Sequence, residues 1–192
     1  VSEYKGAGRP RSTEKEAAIL QAALALLASQ GFVRMTLDQV AAAAGVSKST
    51  IHLRWRSKGD LVTAALASFR MAEAPAATGR TRADLVAVLV DFAATVERVR
   101  GMALIGTCLA EERHNPELLA MLRERTVLPR RALLRAILEQ ARDRGEIREE
   151  ADLETAVSAL LGPYYAEYMA VSAVHDGWAE TAVDLVLAGL RP

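Results

Sequence analysis

Between Asp38 and Asp60 the chain carries no acidic residue, while Lys48, Arg54, Arg56 and Lys58 all fall inside that stretch. Hydroxyl side chains are interleaved with them at Ser47, Ser49 and Thr50. Cationic and hydroxyl groups packed into so short a span are the groups that bind phosphate oxygens and base edges. Such groups act together only if a rigid element holds them on one face, so the flanking residues decide the reading.

Thr36-x-x-Gln39 is a capping-box pattern, followed by Leu37, Val40, Ala41 and Ala44. Gly45 stands where a left-handed residue closes a helix. Ser47 then caps a short helix predicted through Trp55. Ala41 lies four residues before Gly45, and Ile51 six after it. A small residue at position 41 lets the second helix cross closely, Gly45 permits the turn, and Ile51 pins the second helix on the first. This is the spacing of a helix-turn-helix, whose second helix enters the DNA major groove. Its outward positions are Lys48, Ser49, Thr50, His52, Leu53 and Arg54, and small residues at its start, Ser47 and Ser49, allow close approach. The N–H groups of the helices starting at Thr36 and Ser57 can meet phosphates, with Arg56 and Lys58 adding charge. The competing reading is a solvated helical hairpin with incidental lysines. Caps, glycine, inward isoleucine and acid-free face agree on the first.

Other chemistry is sparse. Glu111, Glu112 and His114 match no strong metal-ligand spacing, and Glu112 with Arg125 reads as a surface ion pair. No nucleophile elbow, Walker loop, zincin motif or Rossmann fingerprint occurs, and Gly6-Ala7-Gly8 has no strand before it. We therefore expect no catalytic residues, no metal, no cofactor and no enzymatic activity. The single cysteine, Cys108, permits no internal disulfide and reads as a small buried hydrophobe.

The elements that position these groups are helices. Ala (37) and Leu (25) dominate the 192 residues, aromatics are 5%, and Gly (12) and Pro (6) are few, a bias against strands. With 51% hydrophobic and 25% charged residues, a packed core is expected for most of the chain. The patterns predict an all-α fold of about nine helices. The first runs from a capping box at Thr13 to Gly31, and the fourth from Ser57 to about Ala74 with Leu61, Ala65, Leu66 and Phe69 inward. Thr81 to Arg100 and Met102 to Arg113 follow. Asn115-Pro116 opens a run to Arg144 that Pro129 must kink or split. Asp152 caps a helix to about Val174 with a kink at Gly162-Pro163, and Trp178 to Leu190 is the last.

Formal net charge is zero, but residues 1–74 are net basic and 75–192 net acidic, with all four lysines in the first part. That asymmetry fits a polyanion-binding head on a different body. The domains expected are 1–56, the DNA-binding head with its N-terminal arm, and 57–192, a body whose first helix, 57–74, is a linker. Gly8-Arg9-Pro10-Arg11 reads as an arm for the adjacent minor groove or as a basic tail. The N-terminus lacks an apolar signal core, and the run Ala17 to Val33 reads as too polar and short for a membrane span, so a soluble, cytoplasmic protein is expected. In the body, Phe92, Met102, Ile105, Leu109, Met121, Leu122, Arg125, Tyr164, Tyr165 and Tyr168 are candidate pocket residues. The three tyrosines beside Gly162-Pro163 are the leading ones, because phenols give an apolar wall with a polar handle.

The pattern Ile19…Ala22-Ala23…Leu26-Leu27…Gly31-Phe32…Thr36-Leu37-Asp38…Val40-Ala41…Ala44-Gly45-Val46-Ser47-Lys48-Ser49-Thr50-Ile51-His52…Trp55…Ser57-Lys58-Gly59-Asp60-Leu61 resembles the DNA-binding head of the TetR (tetracycline repressor-like) regulators. Ala110-Glu111-Glu112, Asn115-Pro116-Glu117-Leu118, Pro129-Arg130-Arg131, Arg144-Gly145-Glu146-Ile147-Arg148 and Leu161-Gly162-Pro163-Tyr164-Tyr165 resemble one C-terminal subgroup of the same family. The resemblance implies an all-helical homodimer that binds a palindromic double-stranded operator, dimerises through its last two helices (152–174 and 178–190) and responds to a small molecule of unknown identity in its body. By position it implies that Lys48, Ser49, His52 and Leu53 face bases or the groove wall, and that Thr36, Thr50 and Lys58 face phosphates. His52 stands where the family often has Tyr, and Leu53 replaces a commonly polar residue, so a thymine methyl contact is expected there instead of a hydrogen bond. A repressor released by its ligand is the function expected. The alternative from another class is an all-helical ligand-binding or enzymatic protein whose head docks protein instead of DNA.

Overall fold

The computed structural model describes residues 10–68 and 75–192. Among these the chain is all-α: α1 Pro10–Arg34, α2 Leu37–Ala43, α3 Lys48–His52, α4 Lys58–Ser68, α5 Thr81–Arg98, α6 Gly101–Ala110, α7 Pro116–Leu122, a π turn Arg123–Val127, α8 Leu128–Asp143, α9 Leu153–Val171 and α10 Trp178–Leu190. Counting α7, the π turn and α8 as one stretch, the described residues form nine helical stretches. The described residues gather into two compact units, 10–68 with Val99–Arg125, and 75–98 with Thr126–Pro192.

In the first unit, α1 packs on α2, α4 and α6, and α7 packs on α4 and α6. Ile19, Ala23 and Leu27 of α1, Val40 of α2, Ile51 of α3, Leu61 and Ala65 of α4, and Cys108 and Leu118 are fully enclosed in one apolar core. By length and apolar composition alone α1 is long enough to cross a bilayer from Thr13 to Arg34, contrary to the sequence expectation. The reason is that the Ala- and Leu-rich turns run on through Gln21, Ser29 and Gln30; in the fold one stripe of them, Ile19, Leu20, Ala23 and Leu27, is buried in the core. Gly31 ends the regular helix with φ 77° and ψ 169°, a backbone that favours glycine.

In the second unit, α5 packs on α8, α9 and α10, and α9 packs on α8 and α10. Arg130 is 3% exposed and is held by Asp91 Oδ2 at 2.6 Å and the Val88 carbonyl at 3.1 Å, so its charge is paired inside. Asp152 caps α9 by accepting from the N–H groups of Glu154 and Thr155.

Several local expectations differ from the fold. α3 ends at His52, not Trp55; Ile51 and Trp55 are both buried four residues apart, which mimics a helical stripe, but Leu53 and Arg54 form a turn between them. Asn115 precedes α7 without capping it, because its Nδ2 donates to Glu111 Oε2 at 2.7 Å. Pro129 splits the run as expected: it sits in the first turn of α8, and a widened π turn separates α8 from α7. α9 passes through Pro163 unbroken and ends at Val171, where Ser172 turns left-handed at φ 58°. Glu112 pairs with Arg123 at 3.4 Å, not with Arg125. The expected reach of the fourth helix to Ala74, with Phe69 inward, falls outside the described residues. So do Gly8 and Arg9 of the arm.

Candidate nucleic-acid interface

The α2–turn–α3 segment is built by short-range bonds. Thr36 Oγ1 accepts from the Gln39 N–H at 3.2 Å, and the Thr36 N–H donates to Gln39 Oε1 at 2.8 Å, completing the capping box. Gly45 takes φ 64°, and the Val46 N–H returns to the Ala41 carbonyl at 3.0 Å. Ser47 Oγ accepts from the Thr50 N–H at 3.3 Å and lies 2.8 Å from Ser49 Oγ and 2.9 Å from Thr50 Oγ1. The three hydroxyls form one cluster at the start of α3.

Burial sorts the side chains of α3 and its flank into two sets. Ile51 and Trp55 are buried, as is Ala41 beneath them. Ser47, Lys48, Ser49, His52, Leu53 and Arg54 are exposed, and Thr50 is half-buried. Leu53 is 86% exposed, a large apolar side chain with almost no cover. Thr36 is exposed at the start of α2. All nine residues expected at this interface thus lie on the α2–α4 segment of one unit.

Both lysines already have partners. Lys48 Nζ lies 2.9 Å from Asp38 Oδ2, with both side chains more than half exposed. An exposed pair of this kind contributes at most about 1 kcal/mol, so a phosphate or base acceptor exchanges readily for Asp38. Lys58 is different. Its Nζ donates to the carbonyls of Phe32 at 2.6 Å, Met35 at 3.2 Å and Val33 at 3.3 Å, closing the carbonyl end of α1. These three bonds use all of its donors, so a direct phosphate contact by Lys58 requires one of them to be released. Neither Asp38 as the partner of Lys48 nor the α1 carbonyls as partners of Lys58 is signalled by a sequence pattern. Asp38 stands at the edge of the acid-free span, and ten residues separate the pair, too far for a local pattern.

A helix with a buried Ile51 side, a cationic and hydroxyl outer side, and a capped partner helix behind it is the geometry that fits a duplex groove. Residues 19–65 match the family model described as bacterial regulatory proteins, tetR family, and residues 75–186 match the tetracyclin repressor-like C-terminal domain. The chain belongs to the TetR family. An HTH-type transcriptional regulator of Mycobacterium tuberculosis is 39% identical over 143 residues, covering 74% of this chain and 68% of the relative. The HTH-type transcriptional regulator YdeS of Bacillus subtilis is 30% identical over 189 residues, covering 96% and 93%. The solved flavonoid-responsive regulator FrrA is similar in fold, with a TM-score of 0.69 at 22% identity over 94% of this chain and 98% of that one. This TetR-family chain is accordingly a DNA-binding transcriptional regulator with a ligand-binding C-terminal domain.

The expected pocket residues fall into two groups. Phe92, Tyr164, Tyr165 and Tyr168 lie in the second unit, where the Phe92 ring meets Tyr164 at 4.9 Å and Tyr165 at 5.8 Å, both edge to face. Trp178, which sequence reading did not include, joins them 5.3 Å from Tyr164. Burial raises the pKa of the Tyr165 hydroxyl and, with the nearby Glu97 charge, that of Tyr164. Met102, Ile105, Leu109, Met121, Leu122 and Arg125 belong to the first unit. There Ile105, Met121 and Leu122 pack with the head core, and Leu109 and Arg125 are exposed.

Proposed function

We propose that this TetR-family chain is a dimeric repressor that binds a palindromic operator and is released by a small molecule held in its C-terminal body. The observation that carries this is the division of α3: Ile51 inward, with Lys48, Ser49, His52 and Leu53 outward. In this reading Lys48 and His52 read base edges, Leu53 meets a thymine methyl, Ser47, Ser49 and Arg54 lie along the groove wall, and Thr50 meets phosphate. Thr36 at the start of α2 meets phosphate. Lys58 contributes positive potential from its place over the α1 carbonyls, with phosphate competing for one of its donors.

The dimer is supported by apolar side chains on α9 and α10 that the chain leaves uncovered, Met169 at 78% exposed, Val171 at 66% and Leu185 at 73%. A two-fold dimer binding through both copies of α3 requires half-sites about 34–36 Å apart or a multiple of that. The ligand then acts by differential affinity, favouring a body shape in which the two heads no longer fit the half-sites, with a coupling of about 1–3 kcal/mol. Cytoplasmic action follows from that role.

A mobility-shift titration of the purified chain on duplex DNA from upstream of its own gene tests the proposal. Two chains per fragment, with unlabelled fragment competing and random duplex competing far less, is the expected result. A chain that retards no duplex but captures a protein partner through α2–α3 would overturn it.

A further inference from the structure

A cavity of about 280 Å³ lies in the second unit, walled by the C-terminal half of α5, by α9 and by the segment leading into α10. Its lining includes Glu97, Tyr164, His175, Asp176, Trp178 and Glu180.

Two wall residues are buried hydrogen-bond donors left without an acceptor. Tyr164 is 2% exposed and Trp178 is 7% exposed. Among the described residues neither the Tyr164 hydroxyl nor the Trp178 indole N–H has a hydrogen-bond partner. They are not sealed in, because the one fully enclosed, unpartnered side-chain polar atom among the described residues is Thr63 Oγ1. The sliver of surface left on each therefore includes its polar atom, and both residues line the cavity. Buried donors in native proteins are almost always met, by protein, water or ligand.

The charges at the same cavity are negative. Glu97, Asp176 and Glu180 form no ion pair among the described residues. Arg82 lies close enough to Glu180 to feel its charge, but its guanidinium is held by Asp184. His175 Nδ1 lies 2.7 Å from Glu167 Oε1, so this pair is neutral or negative in either protonation state. No lysine or arginine is in the lining. Anionic ligands are repelled, and a cation gains the carboxylates of Glu97, Asp176 and Glu180. Among the described residues no group of three His, Cys, Asp or Glu side chains is arranged to hold a metal ion, which favours an organic cation over a metal.

We infer that this cavity binds a small organic cation that also carries a hydrogen-bond acceptor, its ammonium group facing Glu97, Asp176 and Glu180 and its acceptor facing Tyr164 and Trp178. That occupancy of this cavity signals to DNA is a further step, and it rests on the proposed function above.

Isothermal titration of the full chain with choline and acetylcholine, and with the neutral choline isostere 3,3-dimethyl-1-butanol, tests the site. Saturable binding of a cation at one per chain is expected, at least tenfold tighter than the isostere. Glu97→Gln with Glu180→Gln should weaken it at least tenfold, and Tyr164→Phe several-fold, with unfolding midpoints recorded for each. Should the double variant fail to fold, Asp176→Asn in the exposed segment before α10 replaces it. No saturable binding by either cation, equal binding of the isostere, or undiminished binding by the carboxylate variant would overturn the inference. The same titrations repeated on the DNA complex separate the two steps. Loss of DNA affinity at saturation supports the effector role, and unchanged affinity at saturation overturns that role. A chain that binds the cation but no duplex contradicts the proposed function and leaves the cavity assignment standing.

Discussion

The Lys58 ammonium lies 4.4 Å from the centre of the Phe32 ring and 2.6 Å from the Phe32 carbonyl oxygen, although the two residues are 26 apart in the chain. One cation thus closes the end of α1 and ties it to the first turn of α4. Charge-assisted bonds to otherwise unpaired carbonyls contribute about 1–3 kcal/mol. Lys58→Ala is therefore expected to lower stability by about that amount, less what water recovers at this half-buried site, measured as a shift in the urea midpoint. An unchanged midpoint would show that the ammonium is not held there.

Cys108 is fully buried, and burial pushes its thiol up to about 11. A neutral thiol without solvent access is a poor nucleophile. Native protein at pH 8 should leave a disulfide reagent such as DTNB unreacted for many minutes, and one thiol per chain should react at once in denaturant. Rapid labelling of folded protein would contradict the packing of α6.

Leu185 projects from α10 with 73% of its surface uncovered. Leu185→Glu is expected to leave the fold of the chain intact, since surface changes usually alter stability by less than about 0.5 kcal/mol. If two copies pair through this face as proposed, it should nonetheless give monomer in sedimentation experiments and weaken DNA binding with it. A variant that sediments as wild type would move the dimer surface elsewhere.

Three carboxylates of the second unit are held below their ordinary pKa by hydrogen bonds. Thr78, through its side chain and its N–H, does this for Asp84; Arg144 and then Thr81 do it for Glu146; Thr155 does it for Asp152. A depressed folded pKa gives stability that is present in full above the unfolded values, 3.8 for Asp and 4.5 for Glu, and is lost as pH falls through the lower folded values. Unfolding free energy should accordingly be flat near neutrality and fall below about pH 4.5. Asp84→Asn should lower stability at pH 7 and flatten that acid limb; a variant with the wild-type limb would remove Asp84 from this account.

What the sequence reveals here is mostly what is local. The Thr36–Gln39 box, the Ser47 and Asp152 caps and the left-handed Gly45 are set by residues within a few positions of each other, and each lies where its pattern places it. The error at Trp55 has the same origin, because burial at two positions one turn apart reads as helix whether or not the backbone continues. Long-range partners leave no such trace. Lys58 on the α1 carbonyls, Asp38 on Lys48, and Trp178 beside Tyr164 depend on how helices meet, and a charged or aromatic residue looks the same in sequence whichever partner it finds. The outward face of α3 was legible because the inward residues that orient it, Ala41 and Ile51, are near in sequence. The lining of the Tyr164 cavity was not, because it draws on α5, α9 and α10 at once.

In the proposed function the outward face of α3 binds duplex DNA through Lys48 and its neighbours. Fluorescence anisotropy of a labelled upstream fragment over a salt series, with wild type and Lys48→Ala side by side, tests this. The wild type should show a linear fall of log affinity with log salt, and Lys48→Ala should weaken binding by about 1–3 kcal/mol, with the largest loss on the preferred sequence. No binding by wild type to any duplex at low ionic strength, or equal affinity and salt slope for both chains, would contradict it.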